Sequence, residues 1–274
     1  MSVDPAQPRQ RGLPLRALPA NAVTALALCF GLTGIRFGIA GNWPWALGCV
    51  IIAGVLDGMD GRIARMLKSN SRFGAELDSL SDVTAFGVAP AFIIFLWSLN
   101  AAPQPFGWLA ALSLAVSCAL RLARFNSMLD VDEHPRKKAG FLTGVPAPAG
   151  AGLAFVPAYL WLVTGKPIFR DWILVLPWAA FVALLMIASF STYSWSSLRI
   201  RRDWRLPALA GVALLGAALL TEPWLTLLAV SALYLVMIPI SMASYARIKQ
   251  RRATAPQPAS AARAAPDSAG STER

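Results

Sequence analysis

Residues 77–99 read LDSLSDVTAFGVAPAFIIFLWSL. The stretch holds no Lys or Arg, and its only charges are Asp78 and Asp82 at one end. About 20 apolar residues are needed to carry a helix across about 30 Å of hydrocarbon, and this stretch meets that length. Seven others do so nearly as well, at 20–39, 43–66, 105–125, 145–164, 172–192, 206–221 and 224–245, the seventh span (206–221) being the shortest. Lipid offers the backbone no hydrogen-bond partners, so each span is expected to be a helix; alternating strand patterning is absent. The fold class expected is an all-α integral membrane protein, a polytopic helical bundle of about eight transmembrane helices.

Composition agrees. Of 274 residues, 56% are hydrophobic and only 14% charged, against about 25% charged in soluble domains. The net charge of +11 therefore does not describe a basic soluble surface, and a nucleic-acid-binding globule is excluded. With both termini placed on one side, that side collects 22 of the 25 Lys and Arg. The opposite loops hold Lys166 and Arg170, and Arg36 lies inside the first span. Such a split places both termini in the cytoplasm. Trp43, Trp45, Trp97, Trp108, Trp161, Trp172 and Trp224 fall near the outer ends of the spans, as an interfacial aromatic belt requires. Cys29, Cys49 and Cys118 sit inside apolar spans without metal-ligand spacing and read as packing residues. His134 is the only histidine, which leaves a His-centred triad without support.

Four of the 14 acids stand out of place. Asp57, Asp60, Asp78 and Asp82 fall within or at the edge of the second and third spans, where a carboxylate is expensive and marks function by default. Asp57 and Asp60 are three apart and Asp78 and Asp82 four apart, so each pair shares a helix face. The second span runs inward and the third returns, which sets both pairs at similar depth near the cytoplasmic side. Four carboxylates facing one another either take up protons or hold cations. An all-oxygen donor set without thiol or imidazole suits Mg²⁺ or Mn²⁺. Gly61 and Arg65 continue the stripe begun by Asp57, and Gly74 precedes Asp78 and Asp82 on the next. A glycine gap beside metal-binding acids and an arginine fits a pyrophosphate or nucleotide. Ion pairs that only lock helices together would leave the glycines without a reason.

Residues 57–82, DGMDGRIARMLKSNSRFGAELDSLSD, follow the pattern D-x-x-D-G-x-x-A-R, eight residues, G-x-x-x-D-x-x-x-D. Asp57, Asp60, Gly61, Ala64, Arg65, Gly74, Asp78 and Asp82 all fall on it. In this the chain resembles the CDP-alcohol phosphotransferase family over about residues 15–200. The resemblance implies that Asp57, Asp60 and Asp78 bind two divalent ions, and that Asp82 is the general base, itself close to the metals. It implies that Asn21, Asp57, Gly61, Ala64, Arg65, Gly74 and Asp78 line the nucleotide site; Asn21 comes from Pro19-Ala20-Asn21 and Thr24, which resemble the family's P-N-x-x-T opening with one residue inserted. The reaction implied moves a phosphatidyl group from CDP-diacylglycerol to an alcohol and releases CMP.

Three further segments resemble the bacterial membrane-embedded members that take L-serine. They are Leu120–Asn126, Phe141 with Gly144–Ala149, and Met186–Arg199. Arg121 and Arg124 share a helix face, and with Asn126 they are candidates for the acceptor's carboxylate or phosphate. Lys137, Lys138 and the cluster Arg199–Arg205 are read as contacts to anionic headgroups or as topology signals. Acceptors such as glycerol 3-phosphate, inositol phosphate or choline remain open, and a cation-coupled transporter is the alternative of a different class. The division expected is 1–17, a cytoplasmic segment; 18–200, the six-helix catalytic membrane domain; 201–246, an additional pair of C-terminal helices; and 247–274, a disordered cytoplasmic tail. The resemblance also implies a homodimer in the bacterial inner membrane with its active site on the cytoplasmic side.

Overall fold

The computed structural model describes residues 15–67, 71–129, 141–143, 145–188, 191–193 and 205–254. His134, Lys137, Lys138, Gly144, Arg199, Arg201 and Arg202, with segments 1–14 and 255–274, lie outside them. The helices are α1 (Leu18–Ile39), α2 (Trp43–Met66), α3 (Arg72–Asp82), α4 (Ala89–Trp97), α5 (Phe106–Leu129), α6 (Ala147–Ala154), α7 (Val156–Thr164), α8 (Trp172–Ile187), α9 (Arg205–Thr221) and α10 (Pro223–Thr254). Strands β1 (Phe141–Thr143) and β2 (Ser191–Tyr193) pair antiparallel, Leu142 opposite Thr192. This ribbon is absent from the sequence expectation, and it ties together the segments that precede α6 and follow α8. The sixth apolar span accordingly stops being helical at Ile187.

Among the described residues, α1, the run Arg72–Trp97 and Phe106–Ser127 are each long and apolar enough to cross a membrane, and the bent α6–α7 pair passes the same test when its two helices are taken together. α2 carries Asp57, Asp60, Arg62 and Arg65 in its C-terminal half, so the last turns of this helix are amphipathic. The exterior is apolar: Leu206, Leu209, Val212, Leu214 and Leu220 on α9 are all exposed, as side chains against lipid tails must be. α10 runs on to Thr254, beyond the boundary expected at 246. Residues 240–254 contain neither Pro nor Gly, so nothing in the backbone stops the helix.

Two prolines shape the bundle. Between α3 and α4, residues Val83–Val88 form a π-helical turn. Pro90 has no N–H to give the Phe86 carbonyl, and its ring crowds that carbonyl; one extra residue per turn relieves both problems. The fifth span breaks at Phe155 with a bend of 42°. There Pro157 leaves the Leu153 carbonyl without its helical donor. The indole of Trp178 on α8 supplies one, Nε1 donating to Leu153 O at 2.8 Å. Trp178→Phe strands that carbonyl and is expected to destabilise the fold by about 1–3 kcal/mol, measurable as a lowered melting temperature in detergent.

Small residues bring the helices close to the acids. A Cβ on Gly31 of α1 would lie 2.8 Å from the Ala85 Cα, so α1 packs directly on the π-helical turn, as small residues allow in membrane bundles. At the opposite end of the bundle, Arg170 Nε donates to Trp97 O at 2.9 Å. Its guanidinium lies 5.5 Å from the Trp43 ring and 5.7 Å from the Trp161 ring. Three of the expected belt tryptophans thus gather around one cation.

Candidate active site

α1, α2 and α3 converge on the four acids. Ser71 caps α3, its Oγ accepting from Gly74 N at 3.0 Å, and so fixes the direction in which Asp78 and Asp82 enter. Asp57, Asp60 and Asp78 each offer a carboxylate oxygen, and the three oxygens lie within 4.8 Å of one another. The carboxyl of Asp82 stands outside that trio but is within hydrogen-bond reach of Asp57. Like charges this close repel, and a divalent cation among them removes the repulsion. The donor set of three carboxylates, with nothing softer beside it, fits a hard divalent ion.

Asp60 is the anchor of the set. It is 5% exposed, and its Oδ2 accepts from the Thr24 hydroxyl at 2.6 Å. Ser81 Oγ in turn donates to the Thr24 carbonyl at 3.1 Å, so α1 clamps α2 and α3 through a single residue. Sequence reading placed Thr24 only in the opening pattern. Its bond to Asp60 spans 36 positions and carries no local signal.

A cavity of about 210 Å³ opens beside the trio. Asn21, Thr24, Asp60, Gly61, Ala64 and Gly74 line it, and Asp78 also reaches it. Five of the residues expected at a nucleotide site are therefore together on one wall or another of this space: Asn21, Gly61, Ala64, Gly74 and Asp78. A Cβ on Gly74 would come within 2.9 Å of Asn21 Oδ1 and 3.1 Å of Ser71 Oγ. Gly61 has nothing within 4 Å of where its Cβ would be. One glycine thus permits a close contact between helices, and the other faces open space. Arg65 is exposed, with its Nε donating to Gly61 O at 2.9 Å, which folds the side chain back along α2.

The three acceptor candidates separate. Arg124 Nη1 donates to Ile187 O at 3.2 Å, the last carbonyl of α8, where a cation also suits the helix dipole. Asn126 Nδ2 donates to Ser79 Oγ at 2.8 Å, joining α5 to α3. Arg121, one turn before Arg124, is partly buried and its Nε has no hydrogen-bond partner among the described residues. It lies within electrostatic reach of Asp82. Arg121, Arg124, Leu120, Phe125, Met186 and Ile187 border a second cavity of about 230 Å³ between α5 and α8.

Known proteins were compared with the chain. A family described as CDP-alcohol phosphatidyltransferase matches residues 17–193, and one described as CDP-alcohol phosphatidyltransferase 2 matches residues 203–239. The chain is 33% identical over 235 residues to the CDP-diacylglycerol–serine O-phosphatidyltransferase of Mycobacterium tuberculosis, covering 86% of this chain and 81% of the relative. It is 35% identical over 239 residues to the protein of the same name from Mycobacterium leprae, covering 86% and 78%. For that of Helicobacter pylori the identity is 30% over 229 residues, covering 81% and 90%.

Proposed function

The chain belongs to the CDP-alcohol phosphatidyltransferase family, and on that footing we propose that it transfers a phosphatidyl group from CDP-diacylglycerol to the hydroxyl of L-serine, with release of CMP. The observation that carries the chemistry is the meeting of Asp57, Asp60 and Asp78 within 4.8 Å, with Asp82 one turn further along the same helix as Asp78. The relatives named for serine, each matched over most of its length, support the acceptor.

Asp57, Asp60 and Asp78 would hold the divalent ions on which this family generally depends, with Asp82 beside them; two Mg²⁺ or Mn²⁺ ions suit so many carboxylates. When bound, such ions neutralise the pyrophosphate and align it for in-line displacement. The chain's own residues do the rest. Asn21, Gly61, Ala64 and Gly74 form the bed for the cytidine nucleotide, and Arg65 at its rim supplies a cation that a phosphate can draw away from the helix. Arg121 holds the acceptor. Asp82 takes the proton from the serine hydroxyl as its oxygen bonds to the phosphorus that carries diacylglycerol. The bond from that phosphorus to the bridging oxygen breaks, and CMP leaves with the electron pair. In this reading the site and both termini face the cytoplasm from a bacterial inner membrane, which the excess of Lys and Arg on one side supports, and the family pattern favours a homodimer.

The test is an acceptor panel. Purified protein with CDP-diacylglycerol and Mn²⁺ is expected to release CMP with L-serine and not with glycerol 3-phosphate, inositol phosphate or choline. Release with glycerol 3-phosphate and none with serine would overturn the acceptor. The nucleotide bed has its own test. Gly74→Ala drives a methyl group toward Asn21 and Ser71, and overpacking of this kind costs about 1–3 kcal/mol. Its expected mark is a rise of about tenfold in KM for CDP-diacylglycerol, with KM for serine unchanged.

A further inference from the structure

One wall of the cavity between α5 and α8 rests on a third helix. Leu120, Phe125 and Ile187 border the cavity and are exposed, whereas Met186 borders it and is only 2% exposed. Met186 lies against α6. A Cβ added to Gly150 would come within 2.7 Å of the Met186 Sδ, 2.8 Å of its Cε and 3.0 Å of its Cγ. Gly150 sits inside α6, its N–H donating to Pro146 O at 2.8 Å, and its φ is not positive. Glycine is a poor residue for a helix interior, and here the backbone does not call for one. What Gly150 provides is a seat for the thioether.

The cavity also stands level with the acid assigned to the hydroxyl proton. α5 runs antiparallel to α3 and the π-helical turn: Asn126 Nδ2 donates to Ser79 Oγ at 2.8 Å, and a Cβ on Gly87 would lie 3.0 Å from the Cys118 Cβ. Arg121 and Asp82 both fall between these two contacts. Asp82 is three residues on from Ser79 and Arg121 five back from Asn126, an offset of about 3 Å along the helix axes. Arg121 borders the cavity, and its buried Nε has no hydrogen-bond partner among the described residues. Buried donors are seldom left so, and a guanidinium can only donate, so its complement is an anion. The space of about 230 Å³ has otherwise apolar neighbours in Leu120, Phe125, Met186 and Ile187. It suits a small acceptor that carries a carboxylate.

We propose that Met186, seated on Gly150, sets the size of the acceptor: its thioether closes the inner end of this cavity, admits an amino acid as small as serine and excludes one with a further methyl group beside the carboxylate. The inference rests on serine being the acceptor and on Arg121 meeting its carboxylate. Met186 determines specificity without touching a reacting atom, and Gly150 positions Met186. The thioether is unbranched and flexible. A methyl group at position 150 therefore displaces the thioether rather than the backbone, and the cavity is the space that can receive it.

The experiment is steady-state CMP release by the full-length protein with L-serine and with α-methyl-L-serine, which adds one methyl group to the carbon that bears the carboxylate. One methyl group in a closed pocket is worth about tenfold. Gly150→Ala is expected to raise KM for serine about tenfold, with KM for CDP-diacylglycerol and the melting temperature unchanged. Met186→Ala is expected to raise kcat/KM for α-methylserine relative to serine about tenfold. The double variant separates this role from ordinary helix packing, because Gly150→Ala is expected to have no further effect on KM for serine once Met186 is alanine. An unchanged KM for serine in Gly150→Ala would overturn the role, and that single variant decides even where Met186→Ala does not fold. Failure of Gly150→Ala to fold, or a rise in both KM values together, would also overturn it, as would a full effect of Gly150→Ala that persists without Met186. Each of these leaves serine as the acceptor, whereas a wild type that ignores serine would overturn the acceptor reading and this inference with it.

Discussion

Asp82→Asn is expected to lower kcat by about 10³-fold while CDP-diacylglycerol still binds in the presence of Mn²⁺. The substitution keeps the size of the side chain and removes its ability to take a proton. Asp82 lies outside the trio of oxygens within 4.8 Å, so losing its charge leaves the main cation-binding set in place. Its position at the end of α3, immediately before the π-helical turn Val83–Val88, fixes where its carboxyl enters the site. Single-turnover rates, read together with nucleotide binding, check this. A variant with full activity would remove Asp82 as the base.

Asp60→Asn is expected to act earlier, on cation binding itself. Asp60 is buried, and its partner Thr24 can donate to an amide oxygen as readily as to a carboxylate. The fold should therefore survive the change, and what is lost is one negative charge where the cation must sit. Lewis-acid stabilisation of phosphoryl chemistry is worth several kcal/mol, so activity should fall by about 10³-fold or more. The expected companion is a loss of Mn²⁺ binding by electron paramagnetic resonance. Asp82→Asn should show the reverse pattern, with binding retained and turnover lost. Equal Mn²⁺ affinity in wild type and Asp60→Asn would contradict the placement of the metal.

Much of this site was legible in the sequence because helices convert spacing into direction. Asp57 with Asp60, and Asp78 with Asp82, had to share faces, and the alternation of spans brought the two faces to one depth. The same logic placed Gly61 and Gly74. What it could not supply were contacts between distant segments. Thr24 meets Asp60 because α1 packs tightly on the bundle through Gly31, which no local pattern states. The π-helical turn at Val83–Val88 follows from Pro90, and the bend at Phe155 from Pro157. A proline inside an apolar span announces a disturbance but not which kind, since the outcome depends on which neighbour can serve the stranded carbonyl. Trp178 does so at one site, and a wider turn does so at the other. The basic end of α5 shows the same limit. Arg121, Arg124 and Asn126 look alike in sequence, and only packing separates the two that bind α8 and α3 from the one whose Nε is left without a hydrogen-bond partner among the described residues.

Purified protein in mixed micelles receives CDP-diacylglycerol and isotopically labelled L-serine, with Mn²⁺ or with a chelator, and both lipid-phase label and free CMP are followed. Label in the lipid and free CMP are expected in equal amounts, both abolished by the chelator and both missing in Asp60→Asn. Labelled lipid formed at the full rate in the presence of chelator would contradict this expectation, as would CMP released without serine entering the lipid.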